Sequence, residues 1–258
     1  MSKKIRIVFI IVLCIIFFSS LAFLLQIMMG YRMTDKLYEE SASKFTAEAG
    51  KEGTSEDAGK DSKEDTEGVP ITVDFAVLQS VNSDVVGWIY CEGTAVNYPV
   101  LQGEDNDFYL SHTYDRAANR AGSIFVEALN TPGFADSNTI IYGHHMKNGS
   151  MFATLRNWAD QDYYEEHPVL WLLTPEQNYQ IKLFSGYTTP ATSATYTIFQ
   201  GPCQELNDYL QMAHASSDFS ADVETDPNGK YVLLSTCEYD YEDARYVLHG
   251  MLVPFEEE

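Results

Sequence analysis

Residues 231–253 read YVLLSTCEYDYEDARYVLHGMLV. Two apolar runs of strand length, 231–237 and 245–253, flank the acidic connection 238–244, and this pattern predicts an antiparallel hairpin. Chain direction reverses at the connection, so the end of the first strand lies beside the start of the second. Cys237 and Arg245 are therefore predicted neighbours at one rim of a sheet, beneath the loop EYDYEDA.

Working outward, six more short runs have strand character. VVGWIY (85–90) and VNYPV (96–100) pair across the Gly-containing turn CEGTA. GSIFVE (122–127) and NTIIYGH (138–144) are joined by a loop punctuated at Pro132-Gly133, and VLWLLT (169–174) and NYQIKLFSGY (178–187) form a hairpin across Pro175. Helical spacing is confined to TVDFAVLQSVN (72–82), SMFATLRNW (150–158) and CQELNDYLQMAHA (203–215). Eight strands within about 190 residues predict a mainly β fold, a closed eight-stranded barrel with short helices, which also removes exposed sheet edges.

The chain ahead of the barrel has two other characters. Lys3, Lys4 and Arg6 precede residues 7–31, which carry no charge over a length sufficient to cross a bilayer. Cations before this run and acids after it predict a single-pass anchor with residues 1–6 cytoplasmic and the rest outside. A cleaved signal peptide would have a shorter apolar run ending in a small-x-small site, which Leu24, Leu25 and Gln26 do not supply. Residues 32–68 are rich in Glu, Asp, Lys, Ser, Thr and Gly and are expected to form a disordered stalk leading to the domain at 69–258.

Charge narrows the partners. The chain has a net charge of −22, which repels phosphate backbones and disfavours nucleic acid. Beyond residue 68 only seven cations (Arg116, Arg120, Lys147, Arg156, Lys182, Lys230 and Arg245) face 27 acids, so a functional cation stands out there. The four cysteines, Cys14, Cys91, Cys203 and Cys237, do not form a dense disulfide framework; if two pair, Cys91 with Cys203 is the expected choice.

A thiol needs a base to become a useful nucleophile. At neutral pH only about 3% of an ordinary thiol is thiolate, and a neighbouring imidazolium or guanidinium raises that share. His112, His167 and His214 sit in polar surroundings, and His249 lies inside the last strand as a packed residue. His144 and His145 instead follow the apolar run TIIYG at its end, where a side chain can enter a cleft. A Cys-His pair at strand ends suits nucleophilic acyl transfer, and Arg245 can offer a two-pronged donor to the oxyanion. Such a set works without metal or other cofactor. Adjacent His144 and His145 point to opposite sides of an extended backbone, and H-E-x-x-H is absent, so zinc is disfavoured.

The residues alone leave other readings open. Cys237 on an apolar strand also fits a core thiol, the His-His pair fits a hydrogen-bonded loop, and Arg245 fits a counterion to Glu238, Asp240, Glu242 and Asp243. A non-enzymatic peptide-binding barrel on the cell surface, or a cysteine protease with water as acceptor, is compatible with the same pattern.

LLSTCEYDYEDAR (233–245) resembles the T-L-x-T-C signature of the sortases, with the arginine eight residues on as in class B members; Leu233 stands where the signature has its first Thr. NTIIYGHHMKNGSMFATL (138–155) is similar to the class B histidine segment, and VGWIYCEGTAVNYPVLQGEDNDFYL (86–110) to the opening strands. The resemblance spans about residues 70–253. It implies a sortase-type barrel and a cysteine transpeptidase with Cys237 as nucleophile, His144 as general acid/base and Arg245 as stabiliser of substrate and intermediate. It implies substrate contacts at Asn106, Leu110, Ser235 and Glu238, and no cofactor. The implied partners are C-terminal sorting motifs of secreted proteins, cleaved at a Thr-Gly-type bond, and an acceptor amine from a peptidoglycan precursor or a pilin lysine.

Overall fold

The computed structural model describes residues 3–49, 68–238, 240 and 242–256. Strands β3 (Val85–Tyr90) to β10 (Ala244–Phe255) close into a barrel. Between them come β4 (Asn97–Leu101), β5 (Ile124–Val126), β6 (Asn138–Tyr142), β7 (Val169–Leu173), β8 (Asn178–Pro190) and β9 (Lys230–Cys237), in the spatial order β10-β8-β7-β3-β4-β5-β6-β9. Each strand falls on a run of strand character in the sequence.

The barrel is mixed rather than wholly antiparallel. β4 runs parallel to β5 and β6 parallel to β9, while the remaining neighbours are antiparallel. Parallel neighbours need long crossovers, and the one between β6 and β9 contains two barrel strands and the helix α4 (Gln204–Ser216). Leu206, Tyr209, Leu210 and Ala213 of α4 pack on Ile140, Phe184, Leu233 and Val247, burying the face predicted from their spacing. A register shift in β10 falls at His249/Gly250; a Cβ on Gly250 would meet Ile181 Cγ2 at 2.2 Å, so only glycine fits there.

The remaining helices are short. α2 (Phe75–Val81) is capped by Asp74, whose carboxylate accepts from Val77 N. The expected helix near 150–158 is a 3-10 helix at Ala153–Ala159, followed by α3 (Gln161–Glu166).

The chain divides into two compact units, Met1–Glu40 and Ser41–Glu258. A single helix, α1 (Lys3–Phe45), begins the chain, and its apolar part is long enough to be a candidate membrane span. The stalk expected at 32–68 is helical as far as Phe45, and β1 (Thr46–Glu48) then pairs antiparallel with β2 (Ile71–Val73). Phe45 explains the difference: its buried ring stands edge-on to Tyr114, and its carbonyl accepts from Asp74 N. One buried aromatic is diluted in any average over polar neighbours. The rest of that expectation, residues 50–67, lies outside the described residues.

The four cysteines are free thiols. Cys91, the expected partner of Cys203, is buried at the end of β3 with its thiol against Val169 O, and burial pushes its pKa up to about 11. Cys203 is exposed at the start of α4.

Candidate active site

Two strand pairings build the site. In the antiparallel β9–β10 pair, Arg245 lies directly opposite Cys237, so both side chains leave the same face. In the parallel β6–β9 pair, Tyr142 is level with Ser235, and Gly143 N donates to Ser235 O. His144 follows Gly143 directly and joins Cys237 in lining the cleft at this rim. The parallel direction is essential, because an antiparallel β6 would carry His144 to the far rim.

Gly143 makes this approach possible. A Cβ there would come within 2.5 Å of Ile124 Cδ1 and 2.6 Å of Phe152 Cδ2, so β6 reaches the rim only with glycine at its end. The next residues turn back: Phe152 N donates to His144 O, and His145 bridges to Met151.

A cleft of about 360 Å³ opens at this rim. It is lined by Cys237, His144 and Arg245, and also by Asn106, Leu110 and Ser235. The sequence-expected residues thus converge, with one exception. Glu238 does not line the cleft; its carboxylate faces Arg156, with Oε2 3.7 Å from Nε. Successive residues leave opposite faces of an extended chain, and Cys237 takes the cleft side.

Backbone contacts hold the histidines. His144 Nε2 donates to Leu110 O at 2.7 Å, which leaves Nδ1 as the basic nitrogen of the neutral ring. Leu110 is held by a 3-10 turn, Phe108–Leu110, and the Asp105 carboxylate accepts from Asp107 N and Phe108 N at its start. The backbone N–H groups of Phe108 and Asp107 keep that carboxyl below its ordinary pKa. His145 Nδ1 donates to Cys237 O at 2.7 Å, tying the histidine segment to the cysteine strand. A scaffolding role for His145 was not visible in the sequence, since it requires the partner strand.

Aromatic side chains form the wall. Tyr142 and Tyr196 face one another at 6.4 Å between centroids, close to parallel, and both line the cleft. Tyr196 shares a 2.8 Å hydrogen bond with Ser235 Oγ, and burial lifts its pKa to about 12. Burial, then the Glu127 carboxylate, raises the pKa of Tyr142. Glu127 is itself buried: Oε2 accepts from Tyr142 OH and Oε1 from Asn106 Nδ2. Tyr196 and Glu127 carried no signal in the sequence, because a loop tyrosine and a strand-end glutamate have no local pattern.

The arrangement can perform acyl transfer. It offers a sulfur nucleophile, an imidazole with its tautomer set, and the one guanidinium among the cleft-lining residues. Among the described residues, no three His, Cys, Asp or Glu side chains are grouped to hold a metal ion.

Comparison with known proteins agrees in extent and kind. The family model for the sortase domain matches residues 89–253. Sortase B of Listeria monocytogenes is 42% identical over 179 residues, covering 68% of this chain and 72% of that protein. The crystal structure of B. anthracis sortase B in complex with AAEK1 superposes with a TM-score of 0.71 at 32% identity, covering 88% of this chain and 99% of that one. A Staphylococcus aureus sortase B–substrate complex superposes at 0.66 with 33% identity, covering 70% and 85%. The chain belongs to the sortase family, in its sortase B group, the cysteine transpeptidases of surface-protein sorting.

Proposed function

We propose that this chain is a membrane-anchored transpeptidase that cleaves a C-terminal sorting motif of secreted proteins and joins the new carboxyl end to an amine. Its anchor is α1, with the amino terminus cytoplasmic and the barrel extracellular. The observation that carries the proposal is the convergence of Cys237, His144 and Arg245 on one cleft.

The chemistry runs in two halves. The Cys237 thiolate attacks the carbonyl carbon of a Thr-Gly-type bond, and Arg245 donates hydrogen bonds to the resulting oxyanion. Collapse breaks the C–N bond, and His144 protonates the departing amine, leaving a thioester on Cys237. An acceptor amine then attacks the thioester, losing its proton to His144, and the thiolate departs as the new amide forms. The acceptor is the amine of a peptidoglycan precursor or a pilin lysine. A solved sortase B is complexed with triglycine, and a glycine peptide presents an amine of this kind.

Asn106, Leu110 and Ser235 are assigned to substrate contact, since each lines the cleft beside the thiol. Anchor and acceptor chemistry fit together, because substrate tails and lipid-linked precursors both arrive at the membrane surface.

The test incubates the full chain in detergent with a library of sorting-type peptides and several amines, followed by mass spectrometry. Peptide–amine adducts that disappear in C237A are expected. Hydrolysis products alone with every amine would overturn transfer, and no cleavage of any peptide would overturn the enzymatic reading.

A further inference from the structure

Arg156 stands on the 3-10 helix Ala153–Ala159 that follows the histidine segment, outside the cleft lining. It gathers three carboxylates: Nη1 is 3.5 Å from Asp218 Oδ2, Nε 3.7 Å from Glu238 Oε2 and Nη2 4.0 Å from Asp240 Oδ2. Its guanidinium carbon also lies 5.2 Å from the centroid of Tyr246, a fully buried ring on β10. Two of the three acids belong to the connection between Cys237 and Arg245. The remaining one, Asp218, follows α4.

That connection is hazardous to the site it bridges. It carries Glu238, Asp240, Glu242 and Asp243 beside a cleft whose guanidinium is Arg245 alone. A carboxylate swung toward the cleft would pair with Arg245 and repel both the thiolate and an oxyanion. The Glu238 side chain is instead only 9% exposed and faces Arg156. Glu238 N donates to Ala244 O, carrying the β9–β10 ladder one step past Cys237.

We propose that Arg156 is a positioning residue for the transfer reaction: it clamps Glu238 and Asp240 on the side of the β9–β10 connection away from the cleft, keeping both carboxylates off Arg245, whose Nη1 donates to Ala244 O. The fork geometry matters here. One planar guanidinium reaches three carboxylates while lying over a ring, which the point charge of a lysine does not reproduce. The cysteine strand is thereby gripped twice, by His145 of the histidine segment on the Cys237 carbonyl and by Arg156 of the 3-10 helix after it on the next side chain.

The proposal rests on Cys237 being the nucleophile, and its test reads the thiol rather than turnover. Full-length protein in detergent is treated with a cationic methanethiosulfonate (MTSET) or its anionic sulfonatoethyl counterpart. Modification of Cys237 is followed by peptide mass spectrometry, which separates it from the exposed Cys14 and Cys203. The ratio of the two rate constants cancels the thiolate fraction and reports the local potential.

R156K preserves charge and is the decisive variant. Freed carboxylates near the cleft are expected to raise its cation-to-anion ratio about threefold over the parent, by the Coulomb energy of one added charge several ångströms away in a partly aqueous site. The same Arg→Lys change made in an E238Q/D240N chain is expected to leave the ratio unmoved. A parental ratio in R156K, with a rise seen only in R156Q, is a through-space field effect and overturns the clamp. So does a rise in R156K that persists in the E238Q/D240N background. A chain that modifies as expected but transfers no acyl group would refute the proposed function and leave the clamp standing.

Discussion

Arg245 and Cys237 are directly opposed residues of an antiparallel pair, eight apart in sequence and neighbours across β9 and β10. An exchange of Arg245 therefore alters the surroundings of the thiol without altering the thiol. R245K keeps the charge but loses the two-pronged donor and is expected to lower kcat/KM about a hundredfold. Steady-state transfer assays, with alkylation of Cys237 as the control for an accessible thiol, check this.

Gly143→Ala places a methyl group against Ile124 and Phe152. Overpacking of this kind costs about 1–3 kcal/mol, and relief requires β6 to withdraw from the rim. Denaturant unfolding is expected to show that loss of stability. Transfer activity is expected to fall by more than stability explains, since His144 is the next residue. Wild-type activity in G143A would refute the close-approach account.

Glu127 sets the cleft wall by accepting from both Tyr142 and Asn106. E127A strips those two donors of a buried partner and is expected to destabilise the fold by about 1–3 kcal/mol. E127Q retains the shape and one acceptor, and its expected signature is a raised KM with an unchanged rate of Cys237 alkylation. Equal falls in kcat and in alkylation would place Glu127 in the chemistry instead.

His249 is buried in β10, where its Nε2 meets Tyr209 OH at 2.9 Å and its ring stacks on Tyr187. Burial lowers its pKa to about 3, against an ordinary 6.5. Below pH 6.5 the unfolded chain binds a proton that the folded chain refuses, so the stability present above 6.5 drains away as pH falls toward 3. The slope is up to about 1.4 kcal/mol per pH unit. H249Q is expected to flatten the pH dependence of Tm over that window relative to wild type. Identical slopes would remove His249 as a source.

Much of the fold was legible because it is written in local pattern. All eight barrel strands coincide with short runs of apolar, β-branched and aromatic residues, and α4 with a repeating apolar face. The hairpin ending in Cys237 and Arg245 was readable because its two strands are joined by only seven residues. The expected stalk failed at its start, where the buried Phe45 ring and the β1–β2 pair order a polar stretch. Glu238 faces Arg156, 82 positions earlier, a meeting that no local pattern in either segment announces.

By itself, the sequence determined the barrel's element types, the apolar candidate span, the acidic character of the chain and the candidates for the reacting groups, all properties of residues and their near neighbours. Only the tertiary structure decided that β6 runs parallel to β9, bringing His144 and Cys237 to one cleft. It also decided that Tyr142 and Tyr196 share a wall, that His145 supports the Cys237 carbonyl and that Glu238 turns toward Arg156. Each of these is a pairing between segments dozens of residues apart, specified by the packing of the closed barrel and leaving no periodicity in either segment.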